Sequence, residues 1–153
     1  MKANTRLFGE IDIEESKIVK MESGIVGFPE LKNFTLLFDE EKKDDKCIMW
    51  FQSMDEPVFA MPVMLPQYVK ADYNPTINDS LLAPLGALTP ENTYVLVTVT
   101  VPTDIKKMTV NLKAPIIINT DTCKGAQLIV EDDVPVKYPV YDILKAAKEK
   151  GGE

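Results

Sequence analysis

The chain predicts a mainly β protein: a single small antiparallel β-barrel, or a closed sandwich, with one short helix and an amphipathic C-terminal helix. Three observations carry that expectation. At least eight segments alternate or run apolar over strand lengths, with turn residues between them roughly every ten positions. Helical spacing of apolar residues is confined to the tail beyond Pro139, where Val140, Ile143, Leu144 and Ala147 share a face. In residues 109–119 an alternating strand passes through a polar hinge into a solid apolar strand, as a sheet that bends onto itself requires. With 153 residues the chain fits one domain, large enough to bury roughly 68–70% of its unfolded surface without a metal or disulfide staple. Residues 1–138 are expected to form the barrel, and 139–153 a helix and frayed tail of the same domain.

Each element has a local reason. Leu7, Gly9, Ile11 and Ile13 alternate with charged residues and predict a strand that turns at Glu14-Glu15-Ser16 into residues 17–21, a first hairpin. In Gly24-Ile25-Val26-Gly27-Phe28-Pro29 the glycines can adopt positive φ and Pro29 holds Phe28 out of the helical region, so a tight shaped loop follows. Residues 29–33 suit one helical turn before a strand at 34–38, and 40–45 a solvated connection. Residues 47–53 read as a strand apolar on both faces, with Trp50 as a core anchor. They return through Met54-Asp55-Glu56-Pro57 into 58–65, where Pro62 demands a bulge or an edge.

Residues 66–75 read as irregular, and 80–88 as at most one short helix limited by Pro84 and Gly86. Residues 93–101 are the cleanest strand, with Val95, Val97, Val99 and Val101 on one face and Tyr94, Leu96, Thr98 and Thr100 on the other. Across Pro102-Thr103-Asp104 it pairs with 108–112, where Met108, Val110 and Leu112 form the buried face. Pro115 removes a ladder donor, so the sheet there has an edge, bulge or bend, and Ile116, Ile117 and Ile118 continue buried on both sides. A turn at 121–125 leads to a last strand at 127–131.

Composition narrows the function. Lys and Arg number 17 against 24 Asp and Glu, a formal charge of −7, which repels phosphate backbones and favours a basic protein partner over nucleic acid. The absence of histidine removes the usual general base, the commonest metal ligand and the neutral-pH switch together. No phosphate loop, dinucleotide fingerprint or nucleophile elbow is present. The acidic pairs Asp44-Asp45 and Asp132-Asp133, with Glu131, lack the glycine and alternate spacing of a calcium loop. Neither catalysis, a cofactor nor a metal is therefore expected. Cys47 and Cys123 read as reduced core residues, and the lack of a leader or a membrane-length apolar run predicts a cytoplasmic protein that does not engage the membrane.

Four motifs in order carry a family resemblance: Gly24-Ile25-Val26-Gly27-Phe28-Pro29; Trp50-Phe51-Gln52-Ser53; Val97-Thr98-Val99-Thr100-Val101-Pro102; and Val110-Asn111-Leu112-Lys113-Ala114-Pro115-Ile116-Ile117-Ile118-Asn119 followed by Gly125-Ala126-Gln127. Over residues 6–131 the chain resembles the flagellar assembly factor FliW family. It departs from the family pattern at Phe51, where another aliphatic residue is usual, and in residues 80–88, which are less acidic than usual. The helix beyond Pro139 reads as a local addition. The resemblance implies a bacterial cytoplasmic regulator with a small barrel and no catalysis, which binds newly made flagellin or, in exchange, the RNA-binding translational repressor CsrA. A plain flagellin chaperone that ignores CsrA is the alternative.

Candidate contact residues divide by chemistry. Gln52, Lys113 and Gln127 are polar groups within or beside strands, able either to satisfy buried backbone groups or to face a partner. Glu91, Glu131, Asp132 and Asp133 are the acidic candidates for a basic partner. Gly24, Gly27, Phe28, Trp50, Asn111 and Pro115 are expected to shape the fold rather than to touch a ligand.

Overall fold

In the computed structural model, residues 2–5, 9–37, 48–77 and 79–151 are described. The expected connection at 40–45, Cys47 and the last two residues lie outside them. The chain starts with an antiparallel pair, β1 (Lys2–Thr5) and β2 (Gly9–Asp12), in the register Ala3 to Ile11. The expected first hairpin is thus displaced. Residues 15–17 form a single 3-10 turn, and the next strand, β3 (Val19–Met21), pairs elsewhere.

Seven described strands close into a ring. β3, β4 (Asn33–Leu37), β5 (Ile48–Ser53), β6 (Ala60–Met64) and β7 (Thr93–Thr100) succeed one another antiparallel. After the short β8 (Thr109–Val110), β7 also pairs with β9 (Ile116–Asn119), β9 with β10 (Lys124–Gln127), and β10 with β3. The barrel is therefore real but not wholly antiparallel, because β10 runs parallel to β3 with Lys124 beside Lys20. β6 meets β7 only from Val63 onward, so Pro62 lies just outside that second ladder, where its missing donor costs least. Outside the ring, β8 extends from β7 and is followed on its far side by β11 (Tyr138–Pro139).

Period-2 alternation then sorts the side chains. Val19, Met21, Phe34, Met49, Phe51, Val63, Leu96, Ile116 and Ile118 fill the barrel interior. Phe34 and Phe51 stack there with ring centroids 4.4 Å apart. On β10 the inward position is Gly125, and a Cβ there would stand 2.7 Å from Met21 Sδ, so the glycine makes room for the methionine. A second apolar cluster lies outside the ring: Met64, Val69, Tyr73, Val97, Val99, Met108, Val110, Leu112 and Val140. β7 is thus buried on both faces, Leu96 inward and Val97 and Val99 outward. A smaller cluster of Ala3, Ile18 and Met54 seats the N-terminal pair.

Among the described residues two helices complete the fold. α1 (Asp79–Leu82) runs into a 3-10 turn at Ala83–Leu85 and stops at Gly86, whose φ is +89°, as Pro84 and Gly86 required. α2 (Tyr141–Gly151) lays Ile143 and Leu144 on the outer cluster. Three further expectations fail. The helical turn at 29–33 does not form, because the Lys32 and Asn33 amides donate to Asp55 Oδ2 at 2.7 and 2.8 Å and β4 has already begun. Trp50 is half-buried and belongs to none of the apolar clusters, since alternation points Met49 and Phe51 inward and turns Trp50 out. The final strand occupies Lys124–Gln127, ending where residues 127–131 were expected to begin it.

Candidate partner-binding site at one end of the barrel

The ring brings the motifs to one rim. β3, β5 and β10 all finish there, so the 22–32 loop, the β5–β6 turn and the bend at 111–115 converge. In the loop Gly24 and Gly27 have φ of +67° and +89°. Gly24 is also a close approach: a Cβ would lie 2.5 Å from Pro29 Cα, so no other residue fits. Val26 and Phe28 are exposed, and Phe28 packs on Phe59 with centroids 4.8 Å apart. Gln127 ties the loop to the bend, accepting from Val26 N–H at 2.8 Å and donating to the Ala114 carbonyl at 3.1 Å.

The bend explains the shortened last strand. Antiparallel pairing of 128 with 115 and 130 with 113 would need two bonds each. Leu128 N–H donates to Pro115 O and Val130 N–H to Lys113 O, but Pro115 has no N–H to return. Lys113 N–H is spent on Asn111 Oδ1 at 2.9 Å, an Asx turn. Half a ladder results. Residues 128–131 lie against the bend as a one-sided extended segment, pinned by Lys113 Nζ donating to the Asp132 carbonyl at 2.7 Å. Asn111 and Pro115 therefore act on the geometry of this segment.

A groove opens beside it. It is lined by Thr76, Ile77, Leu128, Ile129, Val130, Glu131 and Asp132 and has a volume of about 500 Å³. Thr76 N–H donates to Asp132 Oδ1 at 2.9 Å and closes one end. Beneath it the buried Tyr73 hydroxyl donates to Leu112 O at 2.6 Å, and burial, with the Asp132 charge nearby, pushes its pKa up to about 12. Glu131 and Asp133 stand exposed at the rim.

The candidate residues are thus only partly gathered. Lys113, Gln127, Glu131, Asp132 and Asp133 cluster at the bend. Gln52 reaches the same end but is fully buried: its amide nitrogen lies 2.8, 2.8 and 3.1 Å from the Ser53, Pro57 and Phe59 carbonyls and braces the β5–β6 turn, so it presents nothing to a partner. Glu91 lies at the opposite end of the barrel, in the turn before Thr93, which pairs with the far residue of β9, Asn119. The same turn is held by Asn92, which donates to Ala87 O and Asp121 Oδ2.

Sequence reading missed Thr76, Ile77 and Ile129 as lining residues. Asn119 was also passed over; fully buried, it donates to Leu85 and Ala87 carbonyls and accepts from the Asp121 and Thr122 amides, anchoring the far end. Cys123, half-buried with φ of +57°, places its sulfur 3.1 Å from Ser16 O. Among the described residues no group of three His, Cys, Asp or Glu is arranged to hold a metal, and no helix is long and apolar enough to cross a membrane.

The FliW protein family model matches residues 2–140 of this chain. The chain belongs to the FliW family. It is similar to the flagellar assembly factor FliW of Lachnospira eligens, 48% identical over 147 residues that cover 95% of this chain and 97% of the relative. The FliW of Lachnoclostridium phytofermentans is 48% identical over 151 residues, covering 97% of each. The crystal structure of a flagellar assembly factor FliW superposes with a TM-score of 0.83 at 30% identity, covering 92% of this chain and 97% of that one. The barrel is thus the family's barrel. The family model ends at residue 140, just before α2, whereas the alignment with the Lachnoclostridium phytofermentans relative covers 97% of this chain.

Proposed function

We propose that the chain is a non-enzymatic, cytoplasmic flagellar assembly factor that binds flagellin and, in exchange, the translational repressor CsrA, thereby relieving repression of flagellin translation. The observation that carries this reading is nearly full-length similarity, at 48% identity, to relatives named as flagellar assembly factors. The charge of −7 supports the CsrA half, because an RNA-binding repressor must present a basic surface that an acidic partner can engage without filling the RNA site. No cofactor, metal or nucleic acid takes part.

The exposed apolar side chains at the rim support a second reading, a chaperone that holds flagellin alone. Capture from a lysate of the source bacterium by the tagged chain, read by mass spectrometry, separates the two. Recovery of both flagellin and CsrA in separate complexes is expected. Flagellin without CsrA selects the chaperone, and neither partner overturns both readings.

A further inference from the structure

We propose that the open edge of residues 128–131 is a strand-addition site that takes an extended peptide segment bearing lysine or arginine beside small aliphatic residues. The inference deepens the reading of this chain as a protein-binding factor, and it names where a partner's chain would lie and with what chemistry.

The backbone supplies the first argument. Leu128 and Val130 turn their amides to the bend, so in an extended segment the N–H and C=O groups of Ile129 point the other way. Among the described residues no strand meets them there: β3, the neighbour of β10 on that side, pairs only as far as Gly125 with Met21. This is a sheet edge whose donor and acceptor are not used by any described residue, the feature to which extended peptides add. The groove supplies the second. Thr76 and Ile77 line it together with residues 128–132, and its volume of about 500 Å³ lies within the roughly 300–1,000 Å³ of ligand sites. Ile129 is 64% exposed, a large apolar side chain on which an alternate residue of the added strand can pack.

Charge selects the occupant. Glu131 lines the groove and is exposed, Asp133 is exposed two residues on, and Asp132 accepts from the Thr76 N–H. Lys113 is committed to the Asp132 carbonyl, and Lys137 is the remaining exposed cation of this stretch, so the local balance stays acidic. An acidic strand would be repelled and a basic one drawn in.

The test uses the whole chain with a blocked hexapeptide, Lys-Val-Lys-Thr-Lys-Val, and a control with glutamate in place of each lysine. Nuclear magnetic resonance titration reads amide shifts and exchange. Expected are saturable binding of the lysine peptide, slowed exchange of the Ile129 amide, and affinity that falls as salt rises. Ile129→Pro, which removes a donor no described group uses, should cut affinity about tenfold or more, and Ile129→Ala, which keeps the donor, less. Glu131→Gln with Asp133→Asn should weaken binding and flatten its salt dependence. Equal binding of the two peptides, or unchanged binding by a folded Ile129→Pro variant, overturns the proposal. So does a charge-neutralised variant that self-associates yet binds no peptide, which would assign the carboxylates to protecting the edge. None of these outcomes depends on whether flagellin or CsrA is captured from cells.

Discussion

Two aromatic residues adjacent in sequence have opposite duties. Phe51 is fully buried and stacked on Phe34 in the barrel centre, whereas Trp50 faces outward and is half-buried. Phe51→Ala should cost about 3–5 kcal/mol, because a cavity bounded by closed sheet cannot collapse. Trp50→Ala should cost less than half as much; denaturant titration of both variants decides it, and equal losses would return Trp50 to the core. Tyr73 gives a pH signature. Its folded pKa, raised to about 12 from an ordinary 10.0, means the native state keeps a proton that the unfolded chain releases. Stability from this group is complete below pH 10 and is lost as pH climbs from 10 towards 12. Tyr73→Phe should cost about 1 kcal/mol at neutral pH, through loss of the 2.6 Å bond to Leu112 O, and should flatten the alkaline limb over that window.

At the level of elements, the bend is a device for making a strand with one free side. Three residue types cooperate: a proline that cannot donate, an asparagine that occupies the next donor, and a glutamine that spans from the bend to the 22–32 loop. Asn111→Ala should destabilise the fold by about 1 kcal/mol and loosen residues 128–131, so that the Val130 amide exchanges faster. If its exchange slows instead, the freed Lys113 N–H has completed the ladder and Asn111 was holding the edge open. The turn at 54–59 is braced differently, from a charge. Burial raises the Asp55 carboxyl, but hydrogen bonds from the Asn33 side chain and amide and the Lys32 amide, with the Lys32 charge, outweigh it and hold its pKa below 3.8. That contribution is present above the ordinary carboxylate range and disappears as pH falls through the folded pKa.

For the whole molecule, the acidic residues sort by position rather than by number. Reversing Glu131, Asp132 and Asp133 together should slow association with a basic partner more than it speeds dissociation, and stopped-flow mixing at two salt concentrations reads both rates. Reversing Glu91, at the other end of the barrel, should leave that association unchanged. The proposed exclusive binding of flagellin and CsrA makes a further demand. A domain of this size has room for two interfaces of about 800 Å² each, so mutual exclusion needs overlap or coupling. Titrating flagellin into a preformed complex with CsrA should release CsrA on size exclusion, and a stable ternary complex would rule the exchange out.

Local patterns determined much of this protein by themselves. The barrel class, the central hairpin of β5 and β6, the doubly buried β9, the shaped loop at Gly24 and Gly27 and the C-terminal helix were legible because period, proline and glycine act over a few residues. The family motifs were legible for the same reason, as short runs in fixed order. What stayed hidden depended on partners distant in sequence. Val19–Met21 left the first hairpin because ring closure offered it β4 and β10, and the parallel ladder there joins residues about a hundred positions apart. For Gln52 the sequence left open bracing of buried backbone or contact with a partner, and the carbonyls of the next turn decide for the brace. The groove is the clearest case. It exists only where Thr76 meets Asp132 and where half a ladder leaves Ile129 outward, and no periodicity within either segment encodes their meeting, because the closing of the barrel creates it.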